Sequence, residues 1–596
     1  MSLYQAPLKD MQLLLERTLA KTGLLDLPAL AEFDSELIGA VLEEAGKFAN
    51  GELAPLNRVG DVEGCRFEEG RVITPSGWKE AYRRFCESGW LGLALPADFG
   101  GQSLPRFIAQ PVNEMWLSAN QAFIMFHALT QGAVDILLHL GSEAQKARYL
   151  EPLISGEWTV AMALTEPNAG SDLGALSTKA IPQDDGRYLI KGQKIFITYG
   201  EHDLTDNIIH LVLARTPDAP AGSRGISLFA VPKVRINDDG SLGEANDVLC
   251  TGIEHKTGLH GSPTCSISYG ERDACYGELI GEENRGLAAM FILMNEARLS
   301  SGTQGIALAE VGYQRAREYA LERIQGSDYL TGRQRVALVE HPDVARMLLS
   351  IRSEVMGLRS LSYLIAALID KAEHGRDDAE RTALQSRIAL LTPVYKAFTT
   401  ERGNLMTGTV IQIFGGMGYV EETGVAQLMR DARINTIYEG TTGIQARDLL
   451  FRKIQGDDGA ALKSLLAEID ELSGTLKAET GPSGLGEALG QASAAVSAEL
   501  SAILDRNRAD PLQLNAGGVP FLEALGTLCC AWQLGDIALV AQAALAEGRD
   551  PDYHGNLQAL AQFYYAHSVP RIDAHLAAFR QARAGIDRYR FTIHTN

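Results

Sequence analysis

Leu164-Thr165-Glu166-Pro167-Asn168-Ala169-Gly170-Ser171-Asp172 is the stretch on which the reading of this chain turns. Proline, asparagine, glycine and serine packed into so short a span make a loop. Its Ala169-Gly170-Ser171 turn can present backbone N–H groups to an anion with no large side chain in the way. Far downstream, Ile437-Tyr438-Glu439-Gly440-Thr441-Thr442-Gly443-Ile444-Gln445 sets a carboxylate between an aromatic ring and a glycine, just after Met429-Arg430-Asp431-Ala432-Arg433. Taken singly the strings decide little, since a Gly-containing loop is often an ordinary turn and a glutamate near a helix start is common at surfaces.

The texture around them changes three times. Residues 1–158 read as mainly helical: Leu37, Val41, Leu42, Ala45, Phe48 and Ala49 recur near helical spacing. Within this part, Gly141-Ser142-Glu143-Ala144-Gln145-Lys146 reads as a helix start with Ser142 as N-cap. From 159 to 282 the runs are short and β-branched or aromatic, as in Lys194-Ile195-Phe196-Ile197-Thr198 and Ile208-Ile209-His210-Leu211-Val212-Leu213. Turn residues such as Asp185-Gly186 separate them, which marks a β domain. From 283 to 473 helices return, with Leu348, Ile351, Val355, Leu358, Leu361, Ile365 and Ile369 on one face. A second helical stretch from about 376 contains Pro393, where a kink or break is expected. Residues 474–486 shift to Gly, Ser, Thr and Pro and read as a linker. The block 475–596 is Ala- and Leu-rich and reads as three or four helices. Its most apolar part, Leu522 to Leu545, is interrupted by Glu523 and Asp536 and reads as a buried helix, not a membrane span.

The two strings, in this order and setting, resemble the acyl-CoA dehydrogenase family, over about residues 30 to 455. The resemblance implies a multidomain α+β fold: an N-terminal helical domain, a middle β-barrel-like domain and a C-terminal helical bundle that carries the base. The extra C-terminal helical domain makes this a long form. Its length and the wording of residues 439–450 look most like the long-form subgroup acting on 3-methylmercaptopropionyl-CoA.

What the family does is implied with it: an FAD-dependent α,β-dehydrogenation of an acyl-CoA thioester. Glu439 then stands as the base for the α-proton, a role that suits a carboxyl whose pKa burial raises from about 4.3 toward 6–7. Tyr438 beside it can exclude water. FAD is expected on Met162, Leu164, Thr165, Gly170 and Ser171, with Phe196 and Thr198 beside the isoalloxazine; many relatives carry Trp where this chain has Phe196. Arg323 matches an arginine that reaches a neighbouring subunit's FAD pyrophosphate, where a bidentate guanidinium suits phosphate oxygens. The usual Phe-Gly continuation is altered here to Ile324-Gln325-Gly326-Ser327, with Gln325 still able to hydrogen-bond. Gln412, Gly415, Gly416 and Thr441 are further implied FAD contacts, whereas Gly443 stands where many relatives have Gln and carries none. On the substrate side the implied residues are Ser171, Asn295, Arg298 and Tyr438, with the thioester carbonyl accepting from the backbone N–H of Glu439 and from the flavin's ribityl hydroxyl. Electron-transfer flavoprotein is the implied electron acceptor and a homodimer the implied assembly. The alternatives are a medium- or long-chain fatty acyl-CoA dehydrogenase and an acyl-CoA oxidase, which passes electrons to oxygen. A third is a non-enzymatic scaffold or DNA-associated relative.

Bulk properties bear on that choice. At 596 residues with 46% hydrophobic content the chain holds several domains with sizeable cores. The net charge of −21, with no basic stripe, speaks against a nucleic-acid binder. It also means that an anionic CoA ester needs a local cluster of Arg, Lys or helix N-termini. The seven cysteines include no CxxC pair and read as reduced thiols of an intracellular, cytoplasmic protein. His127, His139, His255 and His260 are not at metal spacing and read as structural, so no metal is expected. Met1 to Glu16 lacks a secretory core, and no membrane association is expected.

Overall fold

The computed structural model describes residues 4–375, 377–479, 484–505, 510–586 and 588. Contacts group the chain into two compact units, one of residues 43–300 with a few N-terminal residues, the other of Pro7–Leu42 and Ser301 onward.

In the first unit a small hairpin, β1 (Arg66–Glu68) and β2 (Arg71–Ile73), lies outside the main sheet. The main sheet is built from β3 (Trp158–Ala163), β4 (Lys179–Pro182), β5 (Tyr188–Thr198), β6 (Asn207–Ala214), β7 (Ser227–Pro232), β10 (Val248–Ile253), β11 (Thr264–Tyr269) and β12 (Tyr276–Ile280). A second hairpin, β8 (Val234–Ile236) with β9 (Leu242–Ala245), frames the polar excursion at Asn237 to Ser241. The strand order is β10-β11-β5-β12-β7-β6-β3, with β4 also on β5. Strands β3 and β6 pair in parallel, from Trp158↔Asn207 to Ala163↔Val212, while the other strand pairs described in this sheet are antiparallel. Strands β6 and β7 are buried along their whole length, which is why their sequences run apolar instead of alternating. The sheet turns back on itself: just past β3, the Thr165 carbonyl accepts from Ile195 N–H of β5 at 2.9 Å. This gives the middle domain its barrel-like character.

Helices Arg106–Leu140 and Glu143–Ser155 cover one sheet face, with Val134, Leu137, Leu150, Leu153, Val160, Leu211 and Leu228 in one core cluster. Ser142 is the N-cap its sequence implies: its Oγ accepts from Gln145 N–H at 3.2 Å, and Gln145 Oε1 accepts from Ser142 N–H at 3.0 Å. The long helix breaks at Asn120 (φ −159°, ψ 86°), whose Oδ1 takes up Phe123 N–H at 3.1 Å.

The second unit is helical. Its core pairs Ser301–Glu322, the second part of helix Gly286–Glu322, with helices Pro342–His374 and Asp378–Phe414. Close approach is made possible by glycine: a Cβ on Gly305 would lie 2.4 Å from the Thr399 carbonyl. Pro393 does not break its helix, which runs unbroken from Asp378 to Phe414. The flanking Leu390, Leu391, Val394 and Tyr395 are buried, and their packing outweighs the missing N–H. The linker expected at 474–486 also shrinks. Helix Ala460–Glu479 runs through its first six residues, residues 480–483 lie outside the described part, and the next helix begins at Leu485.

Beyond it, the described residues form helices Leu485–Leu504, Pro511–Ala546, Pro551–His567 and Arg571–Arg580. This block packs directly on the bundle. A Cβ on Gly526 would meet the Phe398 ring at 2.3 Å, and Ser360 Oγ donates to Gln533 Oε1 at 2.8 Å. The N-terminal helix Leu8–Thr22 belongs here, not with residues 43–158: Arg17 grips Asp536 through Nε and Nη2 at 2.8 and 2.7 Å, Arg352 pairs with Asp10, and Tyr553 donates to Asp10 at 2.9 Å. Helices Arg106–Leu140 and Pro511–Ala546 are long and apolar enough to cross a membrane, but their most apolar windows are 61% and 89% buried within the fold.

Candidate active site

The loop that follows β3 is fixed from inside by a charge pair. Lys194 is wholly buried and Glu166 is 5% exposed, with Nζ to Oε1 at 2.8 Å. Lys194 also donates to the Leu164 carbonyl at 2.9 Å. Glu166 further accepts from Ser177 N–H and Oγ, both at 2.7 Å, and from Thr178 N–H and Oγ1 at 3.0 and 2.6 Å. Burial opposes its charge, but the ammonium and these donors outweigh burial and hold its pKa down at about 2. Thus both ends of the 164–178 loop are tied to one carboxylate, and Gly170 and Ser171 between them stand exposed. Sequence reading missed Glu166 and Lys194 as the brace; the signal was a lysine inside the apolar β5 run.

Strand β5 then does something alternation alone does not foresee. Its partner β11 pairs Cys265 with Ile197 and Ile267 with Lys194, so Ile195 and Phe196 together face Ser266. At this bulge Phe196 takes φ +60° and the residue is 58% exposed, although Lys194 two residues earlier is buried. Thr198 and Met162 are half-buried, Leu164 is buried, and Thr165 gives its carbonyl to Ile195. An exposed aromatic held in a strained conformation, and an open Gly170 whose added Cβ would touch nothing within 4 Å, fit a flat ring system with a phosphate-bearing chain. On helix Gly286–Glu322 in the same unit, Asn295 is exposed and Arg298 buried.

In the second unit a different lysine holds Glu439. Lys396, 0% exposed in the middle of helix Asp378–Phe414, donates to the carbonyls of Asn435, Tyr438 and Gly440 at 2.9, 2.9 and 2.8 Å. The chain curls around the ammonium, and Glu439 and Gly440 take φ +54° and +89°. The left-handed conformation costs a non-glycine residue about 1–2 kcal/mol. Hydrogen bonds to a charged group contribute about 1.5–3 kcal/mol each, so the lysine offsets that cost. Gln445 Nε2 adds bonds to the Glu439 and Gly440 carbonyls at 3.1 and 3.3 Å. A Cβ on Gly440 would sit 2.5 Å from that same nitrogen, so the position requires glycine. Tyr438 is half-buried, its hydroxyl donating to Gln304 and, at 3.3 Å, to Asn435. Thr441 caps helix Thr442–Asp448, its Oγ1 accepting from Ile444 N–H at 3.3 Å. Lys396 and Gln445, neither singled out from sequence, therefore shape this loop.

The remaining expected residues lie elsewhere in the second unit. Arg323 and Gln325 are exposed at the root of a hairpin closed by Ile324↔Ala337 and Ser327↔Gln334, with Arg323 Nη2 donating to Gln325 Oε1 at 3.3 Å. Gln412, Gly415 and Gly416 are exposed at the end of helix Asp378–Phe414. Tyr319 stacked on Phe414, centroids 4.2 Å apart, brings these two groups together. They are remote from Glu439 within the chain. Arg323 follows Gln304, which holds Tyr438, by nineteen positions along one helix, about 28 Å; Gln412 follows Lys396 by sixteen along another, about 24 Å. Among the described residues no cluster of three metal-binding side chains occurs.

Four family models match in sequence order: acyl-CoA dehydrogenase, N-terminal domain (residues 36–157), middle domain (161–271) and C-terminal domain (284–453), then acetyl-CoA dehydrogenase C-terminal like (465–586). The 3-methylmercaptopropionyl-CoA dehydrogenase of Ruegeria pomeroyi is 46% identical, over 92% of this chain and 93% of its own. A butyryl-CoA dehydrogenase of Syntrophomonas wolfei is 37% identical, over 97% of each. In fold, the chain is similar to a Bacillus anthracis acyl-CoA dehydrogenase complexed with FAD (TM-score 0.71, 20% identity, 92% of this chain and 88% of that one).

Proposed function

The chain belongs to the acyl-CoA dehydrogenase family and is an FAD-dependent acyl-CoA dehydrogenase, and from that premise we propose that Glu439 is the base that takes the α-proton of a short linear or thioether acyl-CoA. The observation that carries this is the conformation of Glu439: a half-buried carboxylate held left-handed on a loop braced from beneath. Strain of this kind gathers where a side chain must be aimed.

In this reading the Glu439 carboxylate accepts the α-proton. Its backbone N–H donates to the thioester carbonyl, where negative charge develops. Tyr438, anchored through Gln304, closes the site against water. Ser171, Asn295 and Arg298 are the residues offered to the substrate. FAD is held by Met162, Leu164, Thr165, Gly170, Ser171, Phe196, Thr198 and Thr441, and when bound it supplies the acceptor for the β-hydride. Arg323, Gln325, Gln412, Gly415 and Gly416 serve the flavin of a second copy of the chain, because their helices carry them some 24–28 Å from the base loop. The assembly proposed is therefore a homodimer, and the electrons leave to an electron-transfer flavoprotein. The substrate proposed is 3-methylmercaptopropionyl-CoA, on the similarity to the Ruegeria enzyme. A thioether sulfur resembles a methylene in shape and softness, so butyryl-CoA and its homologues should follow within about 10–200-fold in kcat/KM.

Glu439→Gln should keep its fold and flavin absorbance and lose about 10²–10⁴-fold in kcat. Near-normal turnover in that variant at any pH would remove Glu439 from the base role. A panel of acyl-CoA lengths with the thioether substrate, assayed with a dye acceptor, tests the substrate. Turnover confined to branched or aromatic thioesters would sink that assignment.

A further inference from the structure

We propose that Lys396 is a positioning residue for α-proton abstraction, one that sets the aim of the Glu439 carboxylate and strengthens the Glu439 N–H as a donor to the thioester carbonyl. The proposal rests on Glu439 being the base.

The geometry is specific. A lysine ammonium has three N–H bonds pointing away from its stem, and all three are matched, within 2.8–2.9 Å, by the carbonyls of Asn435, Tyr438 and Gly440. Two of these carbonyls flank Glu439 on either side. Gln445 Nε2 takes the carbonyl between them, that of Glu439 itself, at 3.1 Å. Every peptide plane that meets Glu439 is thus held by a side chain from outside the loop. In a trans peptide the N–H points opposite to the C=O. When Lys396 draws the Tyr438 carbonyl inward, the N–H of the same peptide, which belongs to Glu439, is turned the other way. One contact therefore fixes both the start of the base's side chain and the direction of its backbone donor.

The charge adds a second effect. A cation hydrogen-bonded to an amide oxygen draws electron density through the conjugated C–N bond, which makes the N–H a better donor. In a buried setting this polarisation acts on a thioester carbonyl that gains negative charge as its α-proton leaves. A neutral side chain in place of Lys396 could fill the space and even donate hydrogen bonds, but would not polarise the amide to the same extent. The tie is long-range in sequence, with Tyr438 lying 42 residues from Lys396, so the helix and not the loop sets the aim.

The test uses the FAD-loaded enzyme with butyryl-CoA and its 2,2-dideuterated form. Lys396→Met should lower kcat per bound flavin at least tenfold, leave KM within threefold, and raise the deuterium isotope effect on kcat as proton abstraction comes to limit turnover. Lys396→Gln, which keeps donors but loses the charge, should fall between Met and wild type. A merely structural lysine would lower FAD content or melting temperature without moving the isotope effect per flavin. If neither variant accumulates as folded protein, Gln445→Leu carries the test, because Gln445 holds the peptide that follows Glu439 and shares the Gly440 carbonyl with Lys396; a smaller fall in kcat with a raised isotope effect is expected. Wild-type kcat and isotope effect per flavin, in whichever of these variants folds, overturn the proposal if Glu439→Gln is inactive. Activity in Glu439→Gln would instead overturn the base assignment beneath it.

Discussion

The loop after β3 and the loop around Glu439 are both seated on a buried lysine, yet the two lysines are satisfied differently. Lys194 meets Glu166 at 2.8 Å and one carbonyl, so its charge is cancelled by a carboxylate beside it. Lys396 meets three carbonyls. The first arrangement seats its loop through a side-chain carboxylate, whereas the second seats its loop through peptide oxygens, which the ammonium polarises. Under the proposed function, the first arrangement suits a loop that keeps a shape for a flavin, and the second a loop that stabilises charge as a proton leaves.

Three measurements would break or sharpen this contrast. The largest effect is expected from Lys194→Met, which strands the Glu166 carboxylate in the interior. Breaking such a pair from one side costs about 3–5 kcal/mol, and the variant should lose bound FAD on dialysis. Lys194→Met with Glu166→Gln should recover part of that loss, and equal FAD loss in both would show that the brace does not work by charge cancellation. Next comes a matched pair of glycines. Gly440→Ala forces a Cβ to within 2.5 Å of Gln445 Nε2 at a positive φ, and should cost about 1–3 kcal/mol and lower kcat; Gly170→Ala meets nothing within 4 Å and should leave melting unchanged. Equal melting temperatures for the two variants would contradict the picture of a tight base loop and an open flavin loop.

The smallest effect concerns pH. Thr442, next to the base loop, donates to Glu401 at 2.6 Å. Burial, with the charges of Glu401 and Glu354 and against the pull of Arg402, pushes Glu523 up to about 7. Its folded pKa thus exceeds the unfolded value near 4.5, so the folded state binds the extra proton between the two and stability falls as pH rises through that window. Glu523→Gln should then raise the melting temperature at pH 8 by an amount on the order of 1–2 kcal/mol in stability, and leave it nearly unchanged at pH 4.5. A gain of the same size at both pH values would contradict it.

Much of this was legible in the sequence, for reasons that differ by feature. The order of helical, β and helical segments follows from periodicity, and Ser142 was readable as a cap because capping is local. Glu439 and the 164–172 loop announced themselves through short strings. Lys396 did not, because a lysine inside an apolar helix looks like a solvated charge until the loop it serves, dozens of residues away, is folded over it. Phe196 could be named, but its exposure depends on a bulge set by the register against β11. The 474–486 stretch misled because helix Ala460–Glu479 runs into it despite its local breaker signals, while Pro393 sits inside an unbroken helix whose neighbours are buried.

The pairing of Arg17 with Asp536 spans 519 residues, and it fixes the order in which this protein can be made. Residues 43–300 form a contiguous unit that can fold while the rest of the chain is still being synthesised. The first helix cannot, because Arg352 and Asp536, which complete Asp10 and Arg17, are made 342 and 519 residues after them. At about 5–20 residues per second that wait is on the order of half a minute to two minutes. Throughout it an amphipathic helix waits without its partners, so the newborn protein depends on that helix staying soluble and uncommitted until Asp536 arrives.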